Sequence, residues 1–129
     1  MLAAMATLSE VMTKDVLSVE PSDTIGEAAE KMTSHGVGAV VVSDFGRMIG
    51  ILSERDIMRA VADRIHSSEA RVREWMTADP ITATTETSIE EAGRTMLEHG
   101  FRHLPVVEDE RAIGILSIRD VAKHGLSSS

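Results

Sequence analysis

The feature that most constrains this chain is that it repeats itself. Placing Met12-Thr13 over Met76-Thr77 sets an offset of 64 residues (76 − 12), and no gap is needed afterwards. At that offset Asp15 meets Asp79, Ile25 meets Ile89, Glu27-Ala28 meets Glu91-Ala92, and His35-Gly36 meets His99-Gly100. The segment Ile49-Gly50-Ile51-Leu52-Ser53 falls on Ile113-Gly114-Ile115-Leu116-Ser117, and Arg55-Asp56 falls on Arg119-Asp120. Each copy of such a duplication is one supersecondary unit. Halves of about sixty residues fold only marginally alone, so the two copies are expected to share a core.

Local signals set the element order within each copy. A short alternating strand spans Val16 to Val19, bounded by Pro21, and its counterpart spans Ile81 to Ala83 after Pro80. A helix follows, opened by the capping-box patterns Thr24-x-x-Glu27 and Ser88-x-x-Glu91. Ile25, Ala28, Ala29 and Met32 form its apolar stripe in the first copy, and Ile89, Ala92, Met96 and Leu97 in the second. Gly36 and Gly100 close these helices, with His35 and His99 in the last turn, where the helix dipole favours positive charge.

Val37 to Ser43 and Leu104 to Val107 read as buried strands. Each turns through a polar link, Asp44-Phe45-Gly46 or Glu108-Asp109-Glu110, into a strand ending at Leu52 or Leu116, which makes a hairpin. Further helices start at Ser53, carrying Ile57, Met58 and Val61, and at Ser117, carrying Val121. Met32, Met58 and Met96 fall on apolar faces and are expected as core filler. Ser67 to Trp75 has Val72 and Trp75 on one side and reads as a helical connector; its counterpart is Leu8 to Met12, which sets Trp75 opposite Val11. The fold class is α+β, a mixed α/β arrangement of two β–α–β–β–α repeats. Repeat 1 covers 8–66, the connector 67–74, repeat 2 75–125, and a disordered tail 126–129.

Composition removes several function classes. The net charge of −8 argues against a protein that neutralises a phosphate backbone, which needs clustered Lys and Arg, so no nucleic-acid partner is expected. With no cysteine there is no disulfide framework and no thiolate metal site, which fits a reducing, cytoplasmic setting. His35, His66, His99 and His124 are scattered at expected surface positions rather than at metal-ligand spacing, so no metal is expected. Met1 to Leu8 lacks the basic leader of a signal peptide, and no stretch approaches the ~20 apolar residues of a membrane helix.

Taken together, these residues resemble the paired CBS domain, or Bateman module, from about Leu8 to Gly125. The resemblance is carried by the opening motifs Val11-Met12-Thr13-Lys14-Asp15-Val16 and Trp75-Met76-Thr77-Ala78-Asp79-Pro80, and by the strings that begin at His35 and His99. It is completed by Gly-Ile-Leu-Ser-x-Arg-Asp at Gly50 and again at Gly114. Any one string is weak, whereas two full sets in register are specific. The resemblance implies two repeats packed sheet to sheet about a pseudo-two-fold axis. Their cleft would hold AMP, ADP, ATP or S-adenosylmethionine as a regulatory ligand, and two modules would pair as a homodimer.

A nucleotide presents a ribose diol, a polyanion and a flat base, and each asks for a different residue type. The family pattern of Ser or Thr three residues before Asp carries the diol role onto Ser53/Asp56 and Ser117/Asp120. Helix starts there also aim N–H groups and the positive dipole end at a phosphate. Arg102 and His103, with Arg55 and Arg119 beside the aspartates, would grip the polyanion. Backbone near Val16-Leu17 and Pro80-Ile81 would read the base edge, between apolar walls from Ala39, Phe101 and Pro105. Against this stand plain alternatives: Ser-x-x-Asp is also an ordinary capping box, and Arg102 and His103 are also ordinary polar residues before a strand. The second copy has Phe101-Arg102-His103 where the first has Val37-Gly38-Ala39, so the Asp120 site is expected to bind phosphates more tightly than the Asp56 site.

Three functions remain open. One is a sensor that signals to a separate effector protein through a change in conformation or dimer arrangement. Another is an interaction module with empty clefts, using Met1 to Leu8 and the surroundings of Trp75 as contact surface. An enzyme is disfavoured, since no Gly-x-Ser-x-Gly elbow, His-Glu-x-x-His or Walker loop is present and there is no cysteine nucleophile.

Overall fold

The structure, a computed structural model, describes residues 7–63, 66 and 68–127, with only the backbone described at 126 and 127. The chain divides into two compact units. The first is Leu17–Pro80; the second takes the chain from Ile81 onward together with the segment that ends at Val16. Compact unit and linear repeat are therefore different divisions of the chain, because the opening motif of each repeat folds onto the hairpin of the other.

In the first unit, β1 (Ser18–Val19) runs parallel to β2 (Ala39–Asp44), which pairs antiparallel with β3 (Arg47–Ser53), which in turn pairs with β4 (Thr77–Ala78). The turn between β2 and β3 is Phe45-Gly46, with φ of 51° and 79°. Two consecutive positive φ values match the right-handed twist of the flanking strands. Helix α2 (Ile25–His35) lies between β1 and β2 in sequence, and α3 (Glu54–Ala62) and α4 (Val72–Trp75) follow β3. The second unit repeats the pattern with α1 (Leu8–Val11), α5 (Ile89–His99), β5 (His103–Glu108), β6 (Arg111–Ser117) and α6 (Ile118–Ser127). Its outer pairings are single bridges, Ala83 parallel to Val106 and Thr13 antiparallel to Ile115.

Among the described residues each unit has its own core cluster, built from both repeats. Val19, Ile25, Ala28, Met32, Val40, Val42 and Leu52 pack with Val72, and Met76 leans on them. The residues 64 positions away do the same work in the other unit: Ala83, Ile89, Ala92, Met96, Leu104, Val106 and Leu116 pack with Leu8 and Met12. Trp75 and Val11, matched by the offset, each lean on the core of a different unit. Glycine makes the exchange possible. A Cβ at Gly50 would lie 2.8 Å from both Met76 Sδ and the Thr77 carbonyl oxygen, and a Cβ at Gly114 would run into Met12.

Of the capping boxes expected from sequence, both halves of the Thr24 box and the serine half of the Ser88 box are in place. Glu27 N–H donates to Thr24 Oγ1 at 3.0 Å while Thr24 N–H donates to Glu27 Oε1 at 2.8 Å, and Glu91 N–H donates to Ser88 Oγ at 3.0 Å. Gly36 and Gly100 close α2 and α5 in the left-handed conformation, at φ of 64° and 74°. His35 and His99 place Nδ1 at 2.8 and 2.9 Å from the carbonyls of Lys31 and Thr95. Hydrogen bonds from Thr24, assisted by the charge of Arg71, hold the Glu27 carboxyl below its ordinary pKa. A depressed folded-state pKa gives stability above the unfolded-state value, lost as pH falls through the folded one. Glu27→Gln is accordingly expected to flatten the acid limb of a stability-against-pH curve; a limb identical to that of the parent would exclude this cap as a source of it.

Several local expectations need correction. The first strand is Ser18–Val19 rather than Val16 to Val19, and Ile81 to Ala83 contributes one bridge at Ala83 and no strand. Leu97, assigned by spacing to the apolar stripe, is 74% exposed. Met58 and Val61 are 70% and 62% exposed, so Met58 is not core filler. Among the described residues of the helical connector, only Val72–Trp75 is helix, and Ser67 lies outside them. Helix α6 continues to Ser127, into the segment assigned as tail, and 128 and 129 lie outside the described residues.

Candidate functional site

Ser53 and Ser117 each end a strand and begin a helix, and the aspartate three residues on folds back to meet them. In the first unit Ser53 N–H donates to Asp56 Oδ2 at 2.9 Å, Ser53 Oγ–H donates to the same oxygen at 3.1 Å, and Asp56 N–H donates to Ser53 Oγ at 3.3 Å. In the second, Ser117 N–H donates to Asp120 Oδ2 at 2.9 Å and Asp120 N–H donates to Ser117 Oγ at 3.0 Å. The capping reading is thus correct for both motifs. It leaves the chemical question open, because a cap fixes where a carboxylate stands without consuming all of its acceptor positions.

The two carboxylates differ in setting. Asp56 is the one buried charged residue among the described residues, and Asp120 is half-buried. The guanidinium of Arg59 donates to Asp56 Oδ1 at 2.5 Å, with the two side chains 60% and 7% exposed. At the matching position, 59 + 64, the second repeat has Lys123. Sequence reasoning missed Arg59, although the spacing Asp-x-x-Arg on a helix is the signal that points to it.

Strand register brings the phosphate candidates to the same place. His103 stands opposite Ser117 in the β5–β6 ladder, and Ile118 N–H donates to the Arg102 carbonyl at 2.8 Å. Arg102, His103, Ser117 and Asp120 therefore gather at one end of the β5–β6 hairpin, where α6 begins. Arg102 and Arg119 are exposed there, and His103 is half-buried. The first unit gathers Gly38 and Ala39 in the same way: Ala39 stands opposite Ser53, and Glu54 N–H donates to the Gly38 carbonyl at 2.9 Å. Arg55 is exposed on the first turn of α3.

The base-edge candidates are placed differently. Leu17 and Pro80 belong to the first unit, and Val16 and Ile81 to the second, so each expected pair is divided where the chain crosses from one unit to the other. The Leu17 carbonyl accepts from Val41 N–H at 3.1 Å and is engaged in the sheet. Ile81 is exposed, and Val16, Leu17 and Pro80 are half-buried. Of the apolar wall candidates, Ala39 and Pro105 are buried within their strands. Phe101 leans on its own unit's core, with its ring centroid 5.7 Å from that of His99.

Among the described residues no group of three or more His, Cys, Asp or Glu is arranged to hold a metal ion. Nor is any helix among them long and apolar enough to cross a membrane.

Two Ser-x-x-Asp caps, each ending a matched hairpin and separated by the repeat offset, agree with a match to the family model for the CBS domain over residues 8–63 and 72–127. The chain belongs to the CBS domain family. It is a tandem CBS pair, and the second CBS match opens at Val72, which makes α4 the counterpart of α1. The chain is 32% identical over 124 residues to the CBS domain-containing protein YhcV of Bacillus subtilis, covering 96% of this chain and 89% of that one. It is 36% identical over 123 residues to the inosine-5′-monophosphate dehydrogenase of Methanocaldococcus jannaschii, covering 94% of this chain but 24% of the enzyme. CBS pairs thus occur in chains close to this length and within a much longer enzyme. The fold also superimposes on the CBS domain pair of protein MJ0100, solved in complex with 5′-methylthioadenosine and S-adenosyl-L-methionine, with a TM-score of 0.89 at 23% identity, covering 97% of this chain and 99% of that one.

Proposed function

We propose that this CBS pair is a regulatory module, not an enzyme, that binds an adenosyl ligand of the AMP, ADP, ATP or S-adenosylmethionine class and passes the signal to a separate effector protein. The observation that carries the reading is the gathering of Asp120, Ser117, Arg102 and His103 at the start of α6. A carboxylate fixed through one oxygen is suited to accept from a ribose diol, while a guanidinium and an imidazole beside a helix N-terminus suit a phosphate. The adenosyl ligands on the CBS pair of MJ0100 lend the same support from a structural relative. Ligand binding can bias the module only by its differential affinity for two arrangements.

A second reading, an interaction or homodimerisation module, is favoured by the exposure of Met58 and Val61, one turn apart on α3. The two readings are compatible if ligand alters pairing, and a ligand screen separates them. A ligand present at ~100 times its dissociation constant adds roughly 2.7 kcal/mol to stability. A clear rise in melting temperature is therefore expected with at least one of AMP, ADP, ATP and S-adenosylmethionine. If none of the four moves it, the interaction module stands alone.

A further inference from the structure

We infer that Arg59 makes the Asp56 site selective for phosphorylated adenosyl ligands over uncharged ones, an inference that rests on the adenosyl-binding function proposed above. A carboxylate has about four lone-pair positions. Asp56 Oδ2 already accepts twice from Ser53, through N–H at 2.9 Å and Oγ–H at 3.1 Å, and Oδ1 accepts from the Arg59 guanidinium. A ribose diol has two hydrogens to donate. With Arg59 in place, Asp56 has room for about one of them.

Full engagement of the diol therefore requires the guanidinium to leave Oδ1. Arg59 is the partner able to move: its side chain is 60% exposed, whereas that of Asp56 is 7% exposed and tied to the helix cap. The displaced guanidinium then needs another anion. A ligand phosphate supplies one, with oxygens that match the guanidinium fork. A neutral thioether such as that of 5′-methylthioadenosine supplies none, so such a ligand breaks the ion pair without replacing it. The second repeat has Lys123 at this position, a point charge that lacks the planar fork. Arg59 is thus a specificity residue of the first repeat alone.

The test uses the full chain carrying Asp120→Ala, so that the Asp56 site is read by itself, with Asp120→Asn taking its place should the alanine variant not fold. Dissociation constants for AMP and for 5′-methylthioadenosine are measured by calorimetry with Arg59 intact and with Arg59→Gln. The expected result is a preference for AMP in the first protein and a fall of about tenfold in that preference in the second, roughly 1.4 kcal/mol of discrimination. Within that change, 5′-methylthioadenosine should bind more tightly once Arg59 is gone, a direction that damage to the fold does not produce. An unchanged preference, or parallel weakening of both ligands, overturns the role of Arg59. Binding by the unaltered chain that vanishes with Asp120→Ala and Asp120→Asn also overturns it and leaves the adenosyl function standing. Silence of the unaltered chain toward both ligands overturns the function and the selectivity together.

Discussion

Asp120→Asn is expected to weaken adenosyl-ligand binding by about 10- to 100-fold, since hydrogen bonds to a charged acceptor contribute roughly 1.5–3 kcal/mol and 1.4 kcal/mol is a factor of ten. Asparagine keeps the shape of the side chain and an oxygen able to accept from Ser117 N–H, the bond that holds Asp120 at 2.9 Å. Helix capping is largely preserved, so the melting temperature of the unliganded protein should move little, and a loss of affinity reports the missing charge. The matching change at Asp56 should cost less affinity for a triphosphate. The Asp56 site has Gly38 and Ala39 where the Asp120 site has Arg102 and His103, and part of its carboxylate is taken by Arg59. Calorimetric titration with ATP reads both variants. Equal losses would remove the proposed asymmetry, and unchanged affinity in both would remove the carboxylates from the binding site.

Gly50→Ala should destabilise the first unit by about 1–3 kcal/mol, the usual penalty for forcing atoms into a filled core, and should cost more than Gly114→Ala. The two glycines occupy matching positions on β3 and β6, but what faces them differs. At Gly50 the added Cβ would meet backbone, the Thr77 carbonyl oxygen at 2.8 Å, as well as Met76 Sδ. At Gly114 the nearest atoms all belong to the Met12 side chain, which has rotamers to spare. Relief at Gly50 therefore means separating β4 from β3, where Gly50 pairs with Ala78 and Ile51 with Thr77. Denaturant unfolding of both variants checks the order of effects; a Gly114 variant the less stable of the two would show that methionine packing, not strand approach, sets the requirement.

Features specified within a few residues were readable in advance. Thr24, Ser53, Ser88 and Ser117 cap helices because a hydroxyl reaches the N–H three residues on. Gly36 and Gly100 accept a left-handed conformation without a Cβ to obstruct it. Helical faces were less secure at their margins. On α5 the buried positions Ala92, Gly93 and Met96 lie within about 60° of Ile89 at 100° per residue, and Leu97, at about 80°, falls just past the edge of that arc. On α3 the buried positions are Asp56 and Ala60, so Met58, two residues from each, faces away.

By itself the sequence determined the duplication, the order of elements and the family, because sixty-four-residue periodicity and capping chemistry are properties of residue order. It also marked Asp56 and Asp120 as the carboxylates to watch. Only the tertiary structure decided that Met12 would lie over Gly114 and Met76 over Gly50, each opening motif completing the other repeat's hairpin. It likewise decided that Thr77–Ala78 would be a strand while Ile81 would not, and that Arg59 would hold Asp56. Strand pairing depends on which distant edge is available, and an ion pair on which of several nearby partners the packing leaves within reach. Neither choice is encoded in a short stretch of chain.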